Sequence, residues 1–132
     1  MKPLLIDTNV VSILFRQSHP LRGQAFEAMR DKNWFISFMT RAELLVWPRL
    51  NNWGPARREE LERHAGMFTT LLPDDDSPRY WADVVVESRR LGRPMSAADA
   101  WIAATAMQWE LPLVTNNVGD FEHLGQLTLL RI

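Results

Sequence analysis

Short apolar runs and longer segments with helical periodicity alternate along the chain. Runs of β-branched, aromatic or leucine side chains predict strands at residues 4–6, 34–38 and 113–115, with weaker runs at 70–72 and 127–132. Apolar residues spaced three and four positions apart predict helices between these strands. The predicted helices are residues 10–15, 21–31, 40–47, 56–68, 78–91 and 100–109, with a single helical turn at 121–124. This alternation predicts an α/β fold built on a parallel sheet.

Capping residues place the helix starts. Thr8 or Asn9 can cap the first helix, and Pro112 stops the last long one. Two helices open with a capping-box pattern, in which a hydroxyl residue precedes an acid by three positions: Thr40 with Glu43, and Ser96 with Asp99. In a parallel sheet the helix starts and the strand ends meet at one edge, where ligands bind.

Composition adds limits to this picture. A chain of 132 residues, 46% hydrophobic and 23% charged, is expected to form a single globular domain over residues 1–132. Its formal charge of −1 excludes an overall basic footprint, so a polyanion must be held by a local patch or by a metal ion. The absence of cysteine excludes disulfides and thiolate sites. No apolar stretch is long enough for a signal peptide or a membrane span, so we expect a soluble cytoplasmic protein without a membrane partner.

Three acids stand where a strand or extended run gives way to a helix: Asp7, Glu43 and Asp99. Each taken alone can serve as an ordinary helix cap, because a carboxylate in the first turn complements the helix dipole. Asp7 fits that interpretation least, since it directly ends a buried strand and no lysine or arginine lies near it in sequence.

Together, three carboxylates at one sheet edge would repel one another. A hard divalent cation relieves that repulsion, and Mg²⁺ or Mn²⁺ suits a site of carboxylates and water. Such an ion can lower the pKa of a bound water and neutralise a phosphodiester. The three acids therefore favour a metal-dependent nuclease over three unrelated caps.

The same segments resemble the PIN domain, and more narrowly the VapC-type toxins of bacterial toxin–antitoxin pairs. The resemblance rests on Asp7-Thr8-Asn9 after the first strand, on Glu43, on residues 96–104 and on residues 113–121. It implies a PIN-like central parallel sheet of about five strands flanked by helices. It also implies an endoribonuclease that depends on Mg²⁺ or Mn²⁺, acts on RNA, is neutralised by a cognate VapB-like antitoxin and forms a homodimer.

Site residues follow from the same resemblance. It implies that Asp7, Glu43 and Asp99 are the acidic metal ligands, and that Asn117 occupies the fourth catalytic position, which is often Asp in the family. Asparagine can ligate through its carbonyl oxygen but brings no charge. Asp120, three residues further on, and Asn117 are therefore alternatives for placing water or a second metal. Thr115 corresponds to a hydroxyl position in the site, and Asn9 is a further candidate for site support.

Other signals point elsewhere with less force. The acidic run at residues 74–76 is expected to be a solvated loop, and the three histidines form no metal-binding or triad spacing. Trp47 and Trp53 flank a loop and are expected to be exposed, favouring a protein partner over base stacking. Arg16 and Arg41 are candidates for steering RNA phosphates. Arg89, Arg90 and Arg93 are candidates too, although solvated helix faces explain these three equally well.

Two alternatives stay open at this stage. A non-catalytic PIN-like binding module is favoured slightly by Asn117, because that position lacks a charge. A structure-specific DNA nuclease on the same fold would use the same acids on a different substrate.

Overall fold

The computed structural model describes residues 1–132 and contains five strands and six α-helices. The strands are β1 Lys2–Ile6, β2 Lys32–Ser37, β3 Thr69–Leu71, β4 Leu113–Thr115 and β5 Leu129–Arg131. The helices are α1 Thr8–Phe15, α2 Arg22–Met29, α3 Phe38–Leu50, α4 Pro55–Ala65, α5 Ser77–Arg90 and α6 Ala97–Gln108, with a 3₁₀ turn at Val118–Asp120. None of the helices combines the length and the apolar character that crossing a bilayer requires.

All five strands are parallel and lie in the order β3-β2-β1-β4-β5. The predicted α/β fold with a central parallel sheet flanked by helices is confirmed. Because β1 lies at the centre between β2 and β4, the residues that follow β1 meet those that follow its two neighbours.

The strand β1 contributes to a core on each face of the sheet. Leu4 and Ile6 belong to a cluster that includes buried residues of α1 to α4, whereas Leu5 belongs to a second cluster with α5 and α6. Burial on both faces explains why the run is continuously apolar rather than alternating.

Several predicted boundaries are wrong, and one of them matters for the site. Helix α3 begins at Phe38 instead of Thr40, because Ser37 is its cap and accepts a hydrogen bond from the Thr40 N–H at 3.1 Å. Glu43 therefore lies in the second turn of α3, so it does not cap that helix. The sequence predicts Phe38 in the preceding strand, since an aromatic residue suits a strand and a buried helix start equally well.

The other corrections are local. Asp7, not Thr8 or Asn9, caps α1, accepting from the Thr8 N–H at 2.8 Å. Residues 121–124 form turns instead of a helical turn, and the last strand is confined to Leu129–Arg131. The acidic run at residues 74–76 is an exposed loop, as predicted, with Asp74 hydrogen-bonded to Gln108.

Candidate metal centre

Asp7 is held between two neighbouring strands at the carboxyl edge of the sheet. It follows β1 directly, and Thr115 is the last residue of the adjacent strand β4. The Thr115 hydroxyl donates to Asp7 Oδ2 at 2.8 Å, while the Thr8 N–H donates to Oδ1. The residue is only 5% exposed, so its carboxylate is fixed on both oxygens in a nearly buried position.

A chain of hydroxyl groups places Glu43 beside this carboxylate. The Thr8 hydroxyl donates to Glu43 Oε1 at 2.8 Å and lies 2.8 Å from the Thr40 hydroxyl. Since Thr8 gives its only hydroxyl proton to Glu43, Thr40 must donate to Thr8. The residue next to Asp7 therefore orients the second acid. The sequence pattern predicts only helix caps at Thr8 and Thr40, so their roles in the site were not predicted.

Asp99 comes from the opposite side of the sheet edge, in the first turn of α6. Its N–H donates to the cap residue Ser96 at 3.1 Å, as the capping-box pattern predicts. The side chain is half-buried, and Asp120 on the 3₁₀ turn acts electrostatically on it. The start of α6 thus determines the position of Asp99, and the groups that act on its side chain include two other acids, Asp120 and Glu43.

One cleft of about 490 Å³ collects the acids. Its lining includes Asp7, Glu43, Asp99, Asn9 and Asn117. An apolar wall faces them, formed by side chains of α3 at positions 39, 46, 47 and 50. Four separate elements therefore deliver polar oxygen atoms to one concave surface, although the acids are far apart in the sequence.

Burial and the charges of neighbouring acids raise the pKa values of two carboxyl groups in this cleft, Asp7 and Asp99. The pKa of Asp7 rises to about 6, mainly because burial disfavours the charged form. The charges of Asp99 and Glu43 raise this pKa further, whereas the hydrogen bonds from Thr115 and Thr8 lower it. Burial also raises the pKa of Asp99, and Asp120 and Glu43 add to that effect. The neighbouring acids are therefore close enough to oppose the ionisation of Asp7 and of Asp99.

The donors present fit a hard divalent cation. Every polar side-chain atom offered by the acids is an oxygen, and the buried Oδ1 atom of Asn9 has no hydrogen-bond partner. No three carboxylate or imidazole groups lie close enough to hold one ion among them directly. Mg²⁺ needs no such cage, because it usually binds one or two carboxylates and keeps several waters. An ion held partly through water matches this arrangement.

The remaining predicted site residues have distinct positions. Thr115 is buried and links Asp7 to Asn117, since its hydroxyl donates to the Asp7 carboxylate and accepts from the Asn117 N–H at 2.9 Å. Asn117 is exposed and lines the cleft. Asp120 lies outside the lining of the cleft but contributes its charge at Asp99. A fourth negative charge is therefore present near the acids, supplied by Asp120 and not by Asn117.

The tryptophans that were expected to be exposed are partly buried instead. Trp47 and Trp53 have ring centroids 4.8 Å apart, and both rings pack against Phe15. This aromatic group extends the core beneath α1 and α4. The prediction that these two rings are exposed is wrong, because both pack against Phe15 and are partly buried.

We expect Asp7→Asn to stabilise the metal-free protein at neutral pH. The pKa of Asp7 is about 6 in the folded chain and 3.8 without its surroundings. Folding therefore favours the protonated acid, a contribution fully present below about pH 4 and lost as the pH rises through about 6. That loss amounts to about 3 kcal/mol at most, since each pKa unit is worth about 1.4 kcal/mol.

Urea unfolding in a chelator would measure this effect. The free energy of unfolding of the wild-type chain should fall between about pH 4 and pH 7.5, and Asp7→Asn should reduce that fall. Equal pH dependence in the two proteins would show that Asp7 ionises as freely in the folded chain as in the unfolded one.

Comparison with known proteins gives a consistent result. The PIN domain family model matches residues 4–127. The VapC ribonuclease Y4jK of Sinorhizobium fredii is 29% identical, with 92% of each chain covered. The toxin FitB of Neisseria gonorrhoeae is 30% identical, over 89% of this chain and 90% of that one. The solved structure of VapBC2 from Rickettsia felis, bound to a promoter DNA fragment, contains a chain with a TM-score of 0.87 at 18% identity, covering 98% of both chains. At that identity the likeness concerns the fold.

Proposed function

The chain belongs to the PIN domain family, and on that premise we propose that it is a divalent-metal-dependent endoribonuclease serving as the toxin of a toxin–antitoxin pair. The observation that carries the proposal is the convergence of Asp7, Glu43 and Asp99 on one cleft, where burial and neighbouring acids raise the pKa values of Asp7 and Asp99. A structural cap needs no such convergence, whereas a cation-dependent phosphodiesterase does.

In this proposal Asp7, Glu43 and Asp99 would hold Mg²⁺ or Mn²⁺ partly through bound water, with Asn9 and Asn117 offering further oxygens. When bound, the cation supplies charge neutralisation at a phosphodiester and lowers the pKa of water. The residues of the chain keep the acids in place. Thr115 and Thr8 hold the Asp7 carboxylate through both of its oxygens, and Thr8 also orients Glu43. Asp120 adds negative charge beside Asp99.

RNA is the proposed substrate, because the relative from Sinorhizobium fredii is named as a ribonuclease. The toxin role draws on the relative named FitB and on the likeness to VapBC2, and it implies a cognate VapB-like antitoxin as the partner. A toxin that cleaves cellular RNA would act in the cytoplasm. The homodimer stays a prediction from family resemblance.

Mapping of RNA ends tests the activity. Purified protein is incubated with total RNA and Mg²⁺, and the new ends are sequenced. Cuts at a limited set of sites are expected, while single-stranded and structured DNA given to the same protein should stay intact. Cleavage of DNA alone would favour the DNA-nuclease alternative, and cleavage of neither would contradict the proposal. Co-purification with a small DNA-binding protein encoded beside this chain would test the partner.

A non-catalytic binding module is the second candidate, because Asn117 brings no charge to the position that is often Asp in the family. Calorimetry with Mn²⁺ separates the two. The nuclease should bind the ion at or below millimolar concentrations, whereas a module that has lost its chemistry should show no binding in that range.

We expect Asn117→Asp to tighten Mn²⁺ binding by about threefold to tenfold, because ligand charge sets affinity for hard cations. Asn117 already lines the cleft, so the new carboxylate faces the other acids. The matched control is Asn116→Asp, which adds the same charge at an exposed neighbouring residue outside the lining. Equal calorimetric affinities for the two variants would exclude Asn117 from the metal site.

A further inference from the structure

A second concave surface lies next to the acidic cleft and carries the opposite charge. It is an open groove of about 750 Å³ between the end of α1, the start of α2 and helix α4. Its charged side chains are four arginines and one acid: Arg16, Arg22, Arg57, Arg63 and Glu60. We call this surface the arginine groove. It holds a formal charge of +3 on a chain whose total is −1.

The arginines of this groove are largely free of ion pairs. Among them only Arg63 lies within 4.0 Å of a carboxylate, at 3.8 Å from the exposed Glu59. Arg22 donates through Nε to the Leu14 carbonyl oxygen at 2.9 Å, which leaves its other N–H groups uncommitted. Elsewhere on the surface, Arg30 follows α2 directly and is paired with Glu27 of that helix at 2.7 Å. The groove therefore offers guanidinium donors that no protein acceptor satisfies.

Aromatic rings hold two of these guanidinium groups in place. Arg57 lies over the Trp53 ring at 3.8 Å from its centroid, and Arg16 lies over Trp47 at 5.4 Å. A planar guanidinium stacked on a ring keeps its N–H edge free for a phosphate. Because the stacking already orders these side chains, less entropy is lost when they bind an anion. An ordinary solvated arginine lacks this order.

The groove and the acidic cleft share Arg16, which lines both. Extending the proposed function, on which this inference rests, we propose that the arginine groove binds the phosphates of the RNA strand flanking the cleavage site. The strand would leave the acidic cleft over Arg16 and run along α4 past Arg57 and Arg63. Positively charged grooves that follow a backbone are a general means of holding single strands.

The position of the groove favours RNA over an acidic protein segment. The groove meets the acidic cleft at Arg16, and there Asp7 and Glu43 of the cleft repel a peptide carboxylate unless a cation lies between them. A nucleic acid strand must place phosphates at the acidic cleft in any case, so a neighbouring row of arginines serves the same ligand. Arginine also binds phosphate through two parallel hydrogen bonds. The shared edge at Arg16 therefore points to one continuous strand.

The test measures binding of a short, labelled uridine oligonucleotide by fluorescence anisotropy with a chelator present. The Arg57→Gln/Arg63→Gln double variant should weaken binding by about tenfold or more, because it removes two phosphate contacts. Each lost contact should also reduce the slope of log K against log salt by about 0.7. The matched control is Arg30→Gln/Arg79→Gln, which removes the same charge from two exposed arginines outside the groove. It should bind RNA within about twofold of wild type.

A variant of opposite sign strengthens the test. Glu60→Gln removes the single acid that lines the groove and should tighten RNA binding by about twofold to fivefold. Equal losses in the two double variants would mean that only net charge matters, and unchanged binding by Arg57→Gln/Arg63→Gln would also overturn the proposal. Poly-glutamate serves as a probe for an acidic protein segment. If the Arg57→Gln/Arg63→Gln variant lost binding to poly-glutamate but kept binding to RNA, the groove would be assigned to an acidic protein. The binding assay contains a chelator, so it measures RNA binding in the absence of a divalent cation. A failure of the cleavage assay, which would contradict the proposed function, can therefore be told apart from a failure of RNA binding.

Discussion

Replacing either Asp7 or Asp99 with asparagine is expected to lower the rate of RNA cleavage by about two to three orders of magnitude or more. Each substitution keeps the shape of the side chain and removes one negative charge from the cleft. The cation that the acids are proposed to hold would lose a charged ligand, and a phosphodiester would lose the neutralisation that the cation supplies. The rate constant under single-turnover conditions measures this loss.

Loss of folding cannot produce the same result. Asp7→Asn should leave the metal-free protein at least as stable as wild type at neutral pH, because it removes a buried acid whose pKa is raised to about 6. Reduced cleavage together with undiminished stability would therefore mark a residue of the site. Asp75→Asn is the matched control, since it makes the same exchange in the exposed loop at residues 74–76. Cleavage at the wild-type rate by both Asp7→Asn and Asp99→Asn would remove the acids from the mechanism.

The sequence predicts best those parts of the fold whose boundaries are marked by local signals such as a proline or a polar turn. Strand β4 is predicted at its observed bounds, because Pro112 closes the preceding helical segment and a polar turn follows Thr115. Asp7 is predicted at a strand end because three apolar residues precede it directly. In both cases the deciding signal lies within a few residues, and tertiary contacts do not override it.

The start of α3 shows where such local signals fail. Phe38 and Met39 suit a strand by their side chains, yet Ser37 turns the backbone and caps the helix. Apolar residues at a strand-to-helix junction are buried in either case, so their hydrophobicity does not place the boundary. With the helix start predicted at Thr40, Glu43 would complete a capping box. The observed start at Phe38 removes that role, so helix capping does not explain why an acid stands at position 43.

Contacts between distant residues complete the site, and no periodicity in one sequence shows them. The hydrogen bond between Thr8 and Glu43 joins residues 35 positions apart, and the bond between Thr115 and Asp7 spans 108 positions. The parallel order of the sheet could be predicted, and it brings the strand ends together. Which hydroxyl meets which carboxylate depends on the register of β1 with β4 and on the rotation of α3, and neither is encoded locally.

The arginine groove is likewise formed by residues that are distant in the sequence. From the sequence, Arg16 is a candidate for steering RNA, whereas Arg57 and Arg63 lie within the helix predicted at residues 56–68 and are not singled out. The structure brings α4 against the end of α1, so that these residues line a single groove. Packing of Trp47 and Trp53 onto Phe15, which contradicts the prediction of exposed rings, is what places the two rings beneath Arg16 and Arg57.

Removing divalent cations is expected to abolish RNA cleavage, with a loss at least as large as that of Asp7→Asn. Without a cation, Asp7, Glu43 and Asp99 present negative charge to a negatively charged phosphodiester, and nothing in the cleft lining other than Arg16 opposes it. Adding back Mg²⁺ or Mn²⁺ should restore the rate. Cation binding should also stabilise the folded chain by about 2.7 kcal/mol at a hundredfold excess over the dissociation constant.

This stabilisation separates a metal site from a general salt effect. The melting temperature of the wild-type chain should rise with Mn²⁺ concentration, whereas that of Asp7→Asn should rise much less, because the variant offers the ion one charge fewer. A monovalent salt at equal ionic strength is the control for screening, which weakens repulsion among the acids without specific binding. RNA binding through the arginine groove should persist in the chelator, so the loss of cleavage would not reflect loss of the substrate. Undiminished cleavage in chelator, or equal melting shifts for the two proteins, would show that the acids do not act through a cation.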